Sequence, residues 1–311
     1  MQKIKPQKIL LPFDGSKRSL NTIRQFAAMK PFQRHKVVLF HVFNCIPECY
    51  YDIAKEPKSV KTVTHARGWE IEQRKSVETA MAKARQLLLQ AGFDKESVNV
   101  VIHNRKRGIA RDIVHEAHDR YAAVVIRRRG SGSLRSLVLG GVATKLIESI
   151  TFAPLLILGK QKVTGKILIA MDNSAGAMRA VDFVAAQLGG YDYDVRLLHV
   201  IRGDRNIALK RPNLSNPQES RKLATNTMKT VFKKAGERLT AKGFSYNQIS
   251  EKILTNVSSR AAAITGMAKK EGFDTIVVGR RGVSQPRSFL IGRVSNKAIH
   301  MARQFGVWVI N

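Results

Sequence analysis

The chain has 311 residues, 44% of them hydrophobic, enough for about two globular domains of roughly 150 residues each. Its 54 Lys and Arg against 23 Asp and Glu leave a formal net charge of +31, with 29 basic and 13 acidic residues in 1–160 and 25 and 10 in 161–311, so the excess is not a tail. Two cysteines, Cys45 and Cys49, argue against a disulfide framework; the absence of a signal-like start or of any apolar run near the roughly 18 residues of a membrane span leads us to expect a cytoplasmic protein.

Lys8 to Phe13 is a short apolar run closed by Asp14-Gly15-Ser16, followed by Leu20, Ile23 and Ala27 at helical spacing: strand, turn, capped helix. Val37 to Val42 reads as a second strand. A polar stretch from Asn44 to about Gly68 reads as a loop or insertion, and Val77, Met81, Ala84 and Leu88 mark a helix. Val98 to Ile102 is a third strand, Arg105-Lys106-Arg107-Gly108 a basic turn, and Ile109, Ile113 and Ala117 a helix face. A fourth strand, Ala123 to Ile126, runs into Arg127-Arg128-Arg129-Gly130, a helix carries Val142, Leu146 and Ile150, and Leu155 to Leu158 is a fifth strand.

From Lys166 the order repeats. Ile167 to Met171 and Asp172-Asn173-Ser174 repeat the first strand and cap, and Val195 to Val200 the second strand, ending in His199-Val200 where the first half has His41-Val42. Asp204 to about Leu223 is a polar connection. Met228, Val231, Ala235 and Leu239 mark a helix, Lys252 to Leu254 a strand, Ala261 to Lys269 a helix, Thr275 to Val278 a strand, and Gly306 to Ile310 the last strand. Continuous apolar strands alternating with helices indicate α/β domains built on parallel sheets, with ligands at the carboxyl ends of the strands. We expect domains at 1–160 and 161–311.

Each half holds an arginine-glycine turn with two glycines ten positions apart, Gly130 and Gly140, then Gly282 and Gly292, leading at once into a helix. Exposed backbone N–H groups and the positive end of that helix suit a phosphate or another anion.

The order of elements, the Asp ending the first strand, the His-Val ending the second and a G-x-x-G-x9-G-[ST] pattern after the fourth together resemble a tandem universal stress protein, in both halves. The resemblance implies two flavodoxin-like (adenine nucleotide alpha hydrolase-like) domains. Each would have a five-stranded parallel sheet of order 3-2-1-4-5 with helices on both faces, the two pairing through their fifth strands. It also implies a nucleotide, ATP or another adenine nucleotide with its bound Mg, held by Asp14, Val42, Gly130, Gly140 and Gly141 in the first half and by Asp172, Val200, Gly279, Gly282 and Gly292 in the second, where Arg293 is added as a nucleotide-binding candidate on its own position.

The pattern is departed from in a consistent direction. Arg127 replaces the leading glycine of the first half and Gly141 its closing hydroxyl residue, so the first phosphate loop is degenerate; the second keeps three glycines but closes with Arg293. Arg293 and Lys297 fall in the first turns of a helix, where an unanswered cation costs roughly 0.3–1 kcal/mol. With Arg105, Lys106, Arg107, Arg127, Arg128, Arg129, Arg135, Arg280, Arg281 and Arg287 they point to a polyanion, RNA, the ribosome or DNA, as partner of a stress-response protein. The alternative is a regulatory sensor with its nucleotide held mainly in the second half. Association of two chains is left open.

Other motifs carry less. No G-x-x-x-x-G-K-[ST] occurs, and no nucleophile, base and orienting acid share a recognisable spacing, so a non-enzymatic role is expected, with weak nucleotide hydrolysis left open. His115 and His118 lack zincin spacing, two thiols do not make a zinc site, and no metal ligand is assigned. Tyr50, Tyr51 and Trp69 either stack on unpaired bases or pack on their own domain.

Overall fold

The computed structural model describes residues 7–46, 60–128, 139–203, 217–282 and 291–311. Strand β1 (Lys8–Pro12) buries Ile9, Leu10 and Leu11 and stops at Pro12, after which Gly15 turns the chain at φ +77°. Asp14 Oδ1 accepts from the Ser16 backbone N–H at 3.0 Å, and the Ser16 hydroxyl caps α1 (Lys17–Ala27) by accepting from Ser19 N–H at 3.1 Å. Such a cap satisfies one of the four donors a helix start leaves open, and contributes about 1 kcal/mol. Leu20, Ile23, Phe26 and Ala27 form the buried face of α1.

Strand β2 (Lys36–Phe43) pairs in parallel with β1 from Lys8↔Lys36 to Pro12↔Phe40. Helix α2 (Val60–Gln90) follows, so residues 60–68, expected in a polar loop, are helical; 47–59, including Tyr50 and Tyr51, lie outside the described residues. Before Val77 the apolar residues of α2 are interspersed with charged and polar ones, which hides its start in the sequence, and Trp69 on it is half exposed. Strand β3 (Val98–Asn104), α3 (Ile109–Ala117) and β4 (Tyr121–Arg127) complete this unit, whose strands lie in the order β3-β2-β1-β4.

The chain divides into two compact units, 1–135 with 140–146 and 136–139 with 147–311, the boundary falling within α4 (Gly141–Ser149). The second unit contains β5 (Leu155–Leu158), β6 (Lys166–Ala170), α5 (Ala175–Leu188), β7 (Asp194–Arg202), α6 (Pro217–Thr240), β8 (Ile249–Val257), α7 (Arg260–Glu271), β9 (Thr275–Gly279), α8 (Arg293–Met301) and β10 (Gly306–Ile310). Its parallel strands run β8-β7-β6-β9-β10, and β5 joins β10 antiparallel, with Leu156 opposite Trp308. Trp308 is fully buried with Phe183 edge-on at 6.0 Å between ring centroids.

Strand β7 starts one residue before and ends two residues past the apolar run expected from the sequence, and β8 extends three residues beyond its expected run at each end. On the edge strand β8 it is hydrogen bonding to β7 and the pairing of Arg196 and Lys252 with Glu271, at 2.8 Å each, that accommodate polar residues in a strand. The β7–β8 register shifts between Val200 and Arg202, next to Asn256 at φ +59°, a left-handed conformation that Asn tolerates better than most residues.

Two buried carboxylates organise backbone rather than bind cations. Asp274, before β9, accepts from the backbone N–H groups of Thr164 (2.6 Å), Gly165 (2.9 Å) and Lys166 (3.2 Å) and from the hydroxyls of Thr164 and Thr275. Asp112, in the first turn of α3, accepts from Lys106 N–H at 2.9 Å and Arg107 N–H at 3.0 Å; burial by itself raises its pKa, but the backbone N–H groups of Lys106, Arg107 and Gly108 outweigh it and hold the carboxyl below the ordinary value. A depressed carboxylate pKa stabilises the fold above the unfolded pKa of about 3.9, and the contribution is lost as pH falls through the folded value.

Asp112→Asn is therefore expected to cost about 1–2 kcal/mol at about pH 7, with wild type and variant converging as pH falls below about 4, in urea unfolding followed by circular dichroism. Asp274→Ala, which removes the acceptor of three backbone N–H groups at about 1–3 kcal/mol each, is expected to cost about 3 kcal/mol or more; a smaller loss in the same measurement would count against the assigned role.

Candidate functional site

In the second unit the carboxyl ends of β6, β7 and β9 and the starts of α5, α7 and α8 surround a crevice of about 1060 Å³. That is the size of a small-molecule site. Asp172, Val200, Gly279, Gly282, Gly292 and Arg293, separate in sequence, all line it.

Beside the crevice backbones approach closely. A Cβ on Gly279 would sit 2.6 Å from the carbonyl carbon of Gly176 and 3.0 Å from Ala177 N, and one on Gly176 would sit 2.5 Å from Arg281 O. Only glycine permits the first turn of α5 to rest on the end of β9 in this way. The Ser174 hydroxyl donates to Asp172 Oδ1 at 2.5 Å and accepts from Ala177 N–H at 3.1 Å, so Asp172 is held beside the cap of α5. A Cβ on Gly282 would collide with Asp172 Oδ2. Gly292 N–H donates to Arg280 O at 2.7 Å, closing the turn just before α8, and the Ser295 hydroxyl donates to Gly279 O at 2.7 Å. The residues 283–290 between these points, with Arg287, lie outside the described residues.

His199 donates through Nδ1 to Met171 O at 2.8 Å, since a carbonyl only accepts. Burial pushes its pKa below the ordinary value and Arg260 acts in the same sense, outweighing the Met171 contact and Asp172. Next to this neutral imidazole the crevice wall carries Arg202, Arg260, Arg281, Arg293 and Lys297 against one carboxylate, Asp172. A chamber with that imbalance, at the N-terminus of α8, favours an anion with several charges.

The first unit reproduces the frame, with arginines at two positions where the second has glycine. Gly140 N–H donates to Arg128 O at 2.7 Å, His41 Nδ1 donates to Phe13 O at 2.7 Å and Asp14 binds Ser16, each matching its counterpart in the second unit. Arg127 stands where Gly279 stands, ending its strand, and Arg18 matches Gly176 one residue into its helix. Burial lowers the Arg127 pKa; Asp14 opposes that and Arg18 adds to it. The guanidinium Nε and Nη1 are out of solvent without a hydrogen-bond partner among the described residues. Val42 and Gly141 keep their positions; Gly130 lies outside the described residues.

The expected polyanion-binding arginines divide. Arg105, Lys106 and Arg107 are exposed on the turn before α3. Arg128 and Arg280 are not surface groups, which corrects the expectation for both: they are 8% and 4% exposed, and burial brings each pKa down to about 10. Arg280 donates twice to Ile147 O, at 2.9 and 2.6 Å, and once to Ile150 O at 2.7 Å, within the second unit. Arg129 and Arg135 lie outside the described residues. His115 and His118 are exposed, and no group of three or more His, Cys, Asp or Glu among the described residues is placed to hold a metal. No helix among them is long and apolar enough to cross a membrane.

Sequence reasoning missed Gly176, Arg202 and Arg260. A glycine inside the first turn of a helix, costly in itself, was the available signal for the first. The two arginines gave none, because they reach the crevice only through the pairing of β7 with β8.

The family model for the universal stress protein family matches residues 5–158 and again 164–310. No curated protein matches the chain. A universal stress protein from Archaeoglobus fulgidus DSM 4304 is similar over 98% of this chain and 96% of that one, at 16% identity and TM-score 0.62. A functionally unknown protein from Pseudomonas aeruginosa PAO1 is similar over 98% and 92%, at 14% identity and TM-score 0.57. A universal stress protein solved in complex with cAMP covers 47% of this chain and 95% of its own, at 17% identity and TM-score 0.33. With both halves matched by the same family model, the chain belongs to the universal stress protein family, as a tandem of two such domains.

Proposed function

We propose that this universal stress protein binds one nucleoside polyphosphate per chain, in the crevice of the second unit, and serves as a regulatory sensor rather than as an enzyme. The observation that carries the reading is the glycine-lined turn beside α8 in a crevice with five cationic side chains and one carboxylate. Phosphates would lie against Gly282, Gly292 and the N-terminus of α8, where Arg293 and Lys297 change from a local cost into ligand contacts. Asp172, at the cap of α5, is in position to accept from a ribose hydroxyl. Mg, where the nucleotide brings it, would come as part of the ligand. Arg18 and Arg127 in place of Gly176 and Gly279 support a first unit that takes no nucleotide.

A second reading, binding of RNA or DNA, is favoured by the net charge of +31 and by the exposed turn of Arg105, Lys106 and Arg107. It is compatible with the first, because that turn lies in the other unit.

Mass spectrometry of ligand released on denaturation, with calorimetric titration of ATP and GTP, is expected to give one site per chain. Gly282→Asp, which sets a second carboxylate beside Asp172, is expected to weaken binding by about ten- to a hundredfold, the equivalent of a lost charged hydrogen bond. Absence of nucleotide binding, or two equivalent sites, would contradict the reading. For the second reading, a single-stranded RNA is expected to bind with Kd of about 10⁻⁴–10⁻⁶ M at physiological salt, weakening steeply as salt rises; affinity insensitive to salt, or none, would remove it.

A further inference from the structure

We propose that the crevice of the second unit prefers a 6-oxopurine nucleotide, with guanine or hypoxanthine as base, over an adenine nucleotide, and that Arg260 makes the distinction. The inference rests on the nucleotide reading above and adds the identity of the base. The phosphate end of the crevice is set by the glycine turn and the start of α8. The base is therefore assigned to the end toward β7, which β6 separates from β9, where Leu198, Met228 and Ile264, all buried and apolar, line the crevice with Val200 of β7. Flat, uncharged and partly apolar, a purine ring suits those walls better than a phosphate does.

What reads the purine edge is the polar group that end presents. A free backbone carbonyl at Val200 would accept from the exocyclic amine of adenine. Here one of that carbonyl's two acceptor positions is taken by Arg260 Nε at 3.3 Å, which sets a donor-only guanidinium beside it, and among the described residues Arg260 makes no other hydrogen bond. The side chain lines the same crevice. A guanidinium has donors only, and its fork matches the paired acceptors O6 and N7 of a 6-oxopurine, whereas adenine opposes it with an amino group at position 6. His199 does not substitute for it, because its Nδ1 proton is engaged by Met171 O. The device is particular to this half: the first residue of α3, matching Arg260 at the start of α7, is Ile109.

The test is calorimetric titration of the full chain with GTP, ITP and ATP, in wild type and in Arg260→Leu, a change at an exposed position whose folding is checked by circular dichroism. Wild type is expected to bind GTP and ITP on the order of tenfold more tightly than ATP, and Arg260→Leu to bring the three within about twofold of one another, mainly by weakening GTP and ITP. ITP carries O6 and N7 without the 2-amino group, so it isolates the edge that Arg260 would read. ATP binding as tightly as GTP in wild type, ITP behaving like ATP, or a preference that survives Arg260→Leu would each overturn the proposal while leaving nucleotide binding in place. If none of the three binds, the nucleotide reading itself fails, and this inference with it.

Discussion

The second unit depends on a place where two backbones touch. Helix α5 starts against the end of β9 with Gly176 over Gly279, at separations that no Cβ would fit. Beside that contact the carboxyl ends of β6, β7 and β9 line one crevice, with Gly282 and Gly292 of the turn into α8 on its wall. Close packing makes the constraint stiff, because interiors are dense and backbone displaced by a methyl group has no free space to enter. In the first unit both glycines are arginines, and the same frame of strands, caps and glycine turn surrounds a guanidinium lying near Asp14 and Arg18. Both halves keep the architecture, and they differ at these two positions.

The positive charge has more than one role. Part of it is interior: Arg280 ties the Ile147 and Ile150 carbonyls, and burial depresses its pKa, the expected response of a cation whose hydration is only partly replaced. Another part, Arg202, Arg260, Arg281, Arg293 and Lys297, converges on the crevice. A third, such as Arg105 to Arg107, faces solvent. Net charge alone gives the same figure for all three, yet a buried arginine bonded to carbonyls cannot make the direct phosphate contact that an exposed one can.

Much of the fold was legible. The apolar runs at Ile9–Leu11, Val37–Val42 and Val124–Ile126, with their repeats near Ile167, Val195 and Ile276, are strands because a strand covered by helices must be apolar along its length. The caps at Ser16 and Ser174 were readable from an Asp-x-Ser stop before a helical pattern. Strand β8 was only partly visible. As an edge strand it carries Glu251, Lys252 and Asn256, and its length is decided by hydrogen bonds to β7 rather than by its own hydrophobicity. The start of α2 was hidden because its apolar residues Val60, Val63, Ala66, Trp69 and Ile71 are interspersed with charged and polar ones, and Trp69 and Ile71 are exposed rather than part of a buried face.

By itself the sequence determined the duplication, the α/β class, the two glycine turns and the excess of cations, because periodicity, turn chemistry and charge are local properties of a chain. Only the tertiary structure decided which arginines are buried, that Gly176 and Gly279 meet, and that Arg260 reaches the Val200 carbonyl. Those outcomes join residues 60 to more than 100 positions apart, and no local rule specifies which backbone a distant side chain will find.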